Sequence, residues 1–244
     1  MDLLWVAAGA TLRGQSPPVV GAEAVLRHAR AEGGRAGRSL VWPPAPYDWP
    51  VDRLCQRERQ ALSDLLAELG PDAPTLCEGW QSADLAAHLV LREHRPDAGP
   101  GMVTRRPPFG PWTDRLTRRL RDSTSWEDLV QKVRSGPPAL LRPLDAQINT
   151  VEFFVHHEDL RRAQPSSEPR ELAPDDEDLL WARLRLLARF ARRRPSGLEP
   201  FNRAPLELGG SGPVVRGPVG EIVLWLMGRE TAAQVDLSEE PRSL

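Results

Sequence analysis

The stretch L-R-P-L-D-A-Q-I-N-T-V-E-F-F-V-H-H-E-D-L-R-R-A, residues 141–163, decides how the rest of the chain is read. Leu141, Leu144, Ile148, Val151 and Val155 recur at alternating three- and four-residue steps, the seam of a helix packed in a bundle, and the spacing predicts a helix running to about Ala163. The same segment carries two of the five histidines, His156 and His157, with Glu152, Glu158 and Asp159 within one or two turns of them. Each helical residue advances about 100°. Glu152 and His156 therefore point the same way, one turn apart, and His157 is turned off that face. A carboxylate and an imidazole at i and i+4 suit a first-row metal, yet such pairs also stand on exposed helices where they are merely solvated. Here the pair borders the apolar seam, and a buried carboxylate needs a partner to offset its desolvation.

Outward from this segment the chain predicts more helices. Leu54, Ala61, Leu62, Leu65, Leu66 and Leu69 mark a helix from Asp52 that Gly70-Pro71 stops. Ser82 is placed to cap a second, S-A-D-L-A-A-H-L-V-L-R-E, ending near Glu93. Trp112, Leu116 and Leu120 give a third its apolar stripe, and Ser125 with Asp128 resembles a cap for W-E-D-L-V-Q-K-V-R. Pro174 and the acids Asp175, Asp176 and Glu177 open a further helix striped by Leu180, Leu184, Leu187 and Phe190. Beyond Pro195 come strand-like P-L-E-L and P-V-V-R, a helix G-E-I-V-L-W-L-M-G-R, and strand-like A-Q-V-D-L. The expected organisation is mainly α: a loosely ordered extension over residues 1–50, with a short helix over residues 22–32 whose His28 is solvated, a helical bundle over 51–165, and a small α+β unit over 170–244.

Composition narrows the function. The chain has 244 residues, 40 % of them hydrophobic, enough for a real core. A net charge of −2 gives no overall attraction to nucleic acid or an anionic membrane. The arginine clusters at 118–121 and 191–194 lack a docking motif and read as solvated faces. No apolar run approaches the roughly 20 residues of a membrane span. The N-terminus lacks the basic start of a secretory signal, and with only two cysteines, Cys55 and Cys77, a cytoplasmic protein with reduced thiols is expected.

His88 supplies a third candidate ligand. It follows Leu85 by three residues and precedes Leu89, on the apolar side of the second helix. Alone it reads as a satisfied core histidine. With Glu152 and His156 it would form a mixed nitrogen and oxygen site that leaves positions open, as catalytic metals do. Cys77, beside the Gly79 turn, reads as a small buried hydrophobe, with a metal or redox role as the alternative, and Trp80 as a packing wedge. Cys55 reads as core. Asp159 either orients a ligand histidine or pairs with Arg162.

The runs L-C-E-G-W-Q-S-A-D-L-A-A-H-L-V (76–90), V-E-F-F-V-H-H-E-D-L-R-R-A (151–163) and G-E-I-V-L-W-L-M-G-R (220–229) resemble the DinB-like superfamily, in its mycothiol-dependent maleylpyruvate isomerase branch, over residues from about 52 to 237. The extension before residue 52 has no counterpart there and is a candidate over-long start of translation. The resemblance implies a four-helix bundle holding a divalent metal, usually zinc, through His88, Glu152 and His156, with the metal activating a low-molecular-weight thiol, mycothiol. It further implies that Arg229 handles an anionic substrate, although an arginine ending a helix also meets the helix dipole. The part after Arg192–Arg194 is shorter than in the isomerase, and the chain looks closer to a shorter actinobacterial group in that branch, so maleylpyruvate is not carried over. The expectation is a metal- and thiol-dependent transferase or isomerase acting on a small electrophile. The alternatives are a non-catalytic metal-binding module with a stress or sequestration role, and an interaction bundle without metal.

Overall fold

The computed structural model describes residues 50–98, 109–165, 167–188 and 195–238. The expected helix over 22–32 with His28, the 1–49 part of the extension, Phe190 and the 191–194 arginine run lie outside the described residues. Seven α-helices and a small sheet are seen among them: α1 Pro50–Leu69, α2 Ser82–His94, α3 Phe109–Ser123, α4 Trp126–Ser135, α5 Asp145–Arg162, α6 Pro174–Leu187 and α7 Val219–Leu226, with strands β1 Pro195–Pro200, β2 Leu206–Glu207, β3 Gly212–Gly217 and β4 Asp236–Ser238. The protein is mainly α with a small α+β C-terminal unit, as expected.

Helices α1, α2, α4 and α5 form the bundle. α1 lies along α5, α4 packs against both α1 and α2, and α3 covers α2. Leu62, Leu66, Leu85, Leu89, Leu129, Val133, Phe153 and Leu160 fill its core. A second core joins Val151, Phe154 and Val155 of α5 to Leu180 and Leu184 of α6, Leu198 of β1, Val215 of β3, and Ile222 and Trp225 of α7. Helix α5 thus has an apolar neighbour on both sides. Every residue from Asn149 to Leu160 is buried in consequence.

Several local expectations change for physical reasons. α5 begins at Asp145, after a 3-10 turn over Arg142–Leu144, because Pro143 cannot continue an α-helical hydrogen-bond ladder. Leu141 and Leu144 consequently leave the seam and are 37 % and 42 % exposed. In α3 the inward face is Thr113, Leu116 and Thr117, and Trp112 is turned out. Ser82 does not cap α2. The cap is Gln81, whose backbone N–H donates to Asp84, while Ser82 is fully buried and donates to the Gly70 carbonyl. Ser125 caps α4 as read, its Oγ accepting from the Asp128 amide.

The sheet has the order β2-β1-β3-β4, with β1 and β3 parallel, Leu198 opposite Val215, and the outer pairs antiparallel. Strand β1, P-S-G-L-E-P, was not legible because two prolines and a glycine mask it. Its prolines sit at the first and last positions, where a missing N–H is tolerated. α7 is buried throughout and ends at Gly228, whose φ of +87° is open to glycine at little cost. There the Arg229 amide donates to the Leu224 carbonyl and the Gly228 amide to Trp225. This left-handed turn swings Arg229 away from the helix axis.

Candidate metal centre

Helix α2 contributes His88 and α5 contributes Glu152 and His156; ligand atoms of the three lie within 4.8 Å of one another. Glu152 Oε1 is the hub. It lies 3.1 Å from His156 Nε2 and 3.6 Å from His88 Nε2. The three side chains are between 2 % and 8 % exposed. Trp80 packs on the His88 ring at 5.0 Å between centroids, and the His88 and His156 rings meet edge to face at 5.4 Å. The i, i+4 reading of Glu152 and His156 and the cross-helix position of His88 converge on one point.

Asp159 orients the histidine. Its Oδ2 lies 2.8 Å from His156 Nδ1, and an ionised carboxylate can only accept, so Nδ1 carries a proton and Nε2 faces Glu152. The Arg162 alternative is not what forms: Arg162 bonds Glu158 and Glu221 instead. Arg229 clamps Asp159 from the other side, Nε to Oδ1 at 2.8 Å and Nη2 to Oδ2 at 2.5 Å, and donates to the Met227 carbonyl. Both Asp159 oxygens are thereby taken. Burial would push the Asp159 carboxyl up, but the bonds from Arg229 and His156 outweigh it and hold it far below the usual carboxylate range. Arg229 reaches the cluster through Asp159 and not by touching the three candidate ligand atoms.

Charges around the hub are balanced. Burial opposes ionisation of Glu152, yet the Arg92 charge, followed by the His156 and His88 contacts, holds its carboxyl well below the ordinary value. Burial likewise opposes a charged His156, and its bonds to Asp159, Cys77 and Glu152 outweigh that and raise it well above the ordinary value. His156 is held between two carboxylates, which favour its protonated form. A divalent cation can replace the Nε2 proton.

The donor set fits such an ion. Four-coordinate zinc with bonds of about 2.0–2.2 Å sets its ligand atoms about 3.4 Å apart, close to the 3.1 Å and 3.6 Å found here. Two imidazoles and one carboxylate are also ligands zinc accepts.

Two features differ from what the residues suggested. Cys77 is not a buried hydrophobe: it is half-buried, with Sγ 3.2 Å from Asp159 Oδ2, 3.6 Å from Arg229 Nη2 and 4.0 Å from His156 Nδ1. The loop before α2 brings it there, turning at Gly79 with φ of +74° and docking on α5 by the Leu76 amide to the Asp159 carbonyl. Arg92, unremarked from sequence, sets its Nε 3.4 Å from Glu152 Oε1. Its signal was present, since Arg92 follows His88 by four residues and shares its face. His157 is indeed off the site and bonds Glu58 at 2.7 Å. Cys55 is core, and burial pushes its thiol up to about 12.

Residues 55–105 match the family model of the mycothiol maleylpyruvate isomerase N-terminal domain. Over that segment the chain is similar to that family, in keeping with the resemblance carried by residues 76–90. The match takes in His88 and Arg92 and stops before Glu152, His156 and Arg229. No curated protein and no solved structure matches the chain.

Proposed function

We propose that the chain is a divalent-metal protein, with zinc as its ion, that uses a low-molecular-weight thiol of the mycothiol kind to transfer or isomerise a small electrophile in the cytoplasm. One observation carries this reading: two imidazole nitrogens from different helices converge on a single buried carboxylate oxygen. His88, Glu152 and His156 would hold the ion. When bound, zinc stabilises the anion of a coordinated thiol and so makes it a nucleophile at neutral pH.

The remaining residues act on these three. Asp159 fixes the proton of His156 on Nδ1 and keeps Nε2 available. Arg229 neutralises Asp159 and holds it in place, which is a positioning role; with both guanidinium edges occupied, it supports the reading of substrate capture less than the resemblance implied. Trp80 packs on the His88 ring. No helix among the described residues is long and apolar enough to cross a membrane. The burial of all three ligands is what favours the alternative, a metal-binding module without turnover, since catalysis needs a path to the ion. Calorimetric titration of the zinc-loaded protein with mycothiol separates the two. Binding with one thiol per chain supports the thiol-dependent reading, and absence of heat together with absence of thiol-dependent turnover removes it.

A further inference from the structure

Arg92 stands out among the buried groups near the cluster. Its side chain is 2 % exposed, and its Nε faces Glu152 Oε1 at 3.4 Å without the alignment of a hydrogen bond. The guanidinium is not there by accident of flexibility. Its Nη1 bonds Asn149 Oδ1 and its Nη2 the Ile148 carbonyl. Asn149 in turn donates to Glu93 at 3.0 Å and Asp145 at 2.6 Å, and Arg59 clamps both acids. A buried polar chain across α1, α2 and α5 thus holds one positive charge against the oxygen on which the two histidines converge.

We infer that Arg92 is a built-in counter-cation of Glu152 that an incoming metal must share, so that it restrains the affinity for the ion and leaves the loaded centre with a surplus positive charge that selects an anionic ligand. The inference rests on the metal reading above. Its physics is simple: like charges a few ångströms apart in a poorly screened interior repel strongly, and a fixed guanidinium cannot lose its proton to escape. A divalent ion and Arg92 share one carboxylate, since Asp159 is already matched by Arg229. The single charge of Arg59 faces two acids, Glu93 and Asp145, and so leaves one more negative charge in the network; one positive charge remains. A thiolate is the class of ligand that satisfies it, and a neutral thiol is not.

Competition titration with a chromophoric zinc chelator at fixed pH tests the first half. Arg92→Gln, which can still bond Asn149, is expected to hold zinc on the order of tenfold tighter than wild type, and Arg92→Lys, which keeps the charge, to stay close to wild type. The second half is read on the cobalt-substituted protein from the sulfur-to-cobalt absorption as 2-mercaptoethanol is added: the thiolate should bind Arg92→Gln several-fold more weakly. Unchanged or weaker zinc binding by Arg92→Gln overturns the inference, as does equal thiolate binding by the two forms. Should Arg92→Gln lose its helical circular dichroism, Asn149→Ala, which frees the guanidinium to withdraw, replaces it with the same expected directions. Failure of the wild type itself to bind zinc would instead defeat the metal reading on which this rests.

Discussion

Asp159 Oδ2 accepts the Nδ1–H of His156 at 2.8 Å while Arg229 grips the same carboxylate through two of its nitrogens. This fixes which nitrogen of His156 faces Glu152, and it ties the C-terminal unit to the bundle at the site. Asp159→Asn keeps the shape but removes the charge and can present its amide the wrong way round. Zinc affinity is expected to fall by about 10- to 100-fold, measured by chelator competition, with the circular dichroism spectrum retained.

Arg229→Gln leaves Asp159 buried and short of its main partner. Breaking a buried pair from one side costs about 3–5 kcal/mol, and chemical denaturation should show a loss of that order. The double variant Arg229→Gln with Asp159→Asn should recover part of it. An arginine that merely met the helix dipole would cost under about 1 kcal/mol and show no such recovery.

How much of this was legible in the sequence follows from what each residue needs. The three candidate ligands could be named because one lies a helical turn from another and the third sits on an apolar face, which are properties of a single helix. Asp159 could be placed on the right face for the same reason, but the choice between His156 and Arg162 depended on Glu158 and Glu221 claiming Arg162 first. Arg92 and Cys77 acquire meaning only through contacts across the fold, Arg92 by way of Asn149 and Cys77 by a loop that docks on α5. Leu141, Leu144 and Trp112 lie outside the core although they keep the period, because periodicity gives a stripe without saying where a proline ends the helix or which edge of the stripe faces in.

Glu158 gives an acid-stability prediction with a definite sign. Burial pushes its carboxyl up, and the bond from Arg161, the charge of Arg170 and the bond from Arg162 outweigh this and hold it at about 2. An unfolded glutamate titrates near 4.5. The folded value is the lower one, so the stabilisation is fully present above the unfolded value and is lost as pH falls through the folded one. Glu158→Gln is expected to be less stable than wild type by about 3 kcal/mol at pH 7, and the gap should close between about pH 4.5 and 2. A gap constant across that range in urea denaturation would contradict the assignment.

The two cysteines should differ sharply as reagents probe them. Cys55 is 1 % exposed and its thiol is pushed up to about 12, so it resists alkylation in the folded state. Cys77 is half-buried at the edge of the site and should react first with a small maleimide. Peptide mass spectrometry after brief labelling reads the ratio. Zinc loading should slow the labelling of Cys77 if the ion settles beside it, leaving Cys55 unmoved.

The most direct test is elemental analysis of the purified protein, wild type beside His88→Ala and Glu152→Ala, with circular dichroism to show that all three are folded. A centre built from His88, Glu152 and His156 predicts one zinc per wild-type chain after loading and dialysis, and next to none in either variant. Zinc retained equally by folded His88→Ala and Glu152→Ala proteins, or absent from all three, would contradict it.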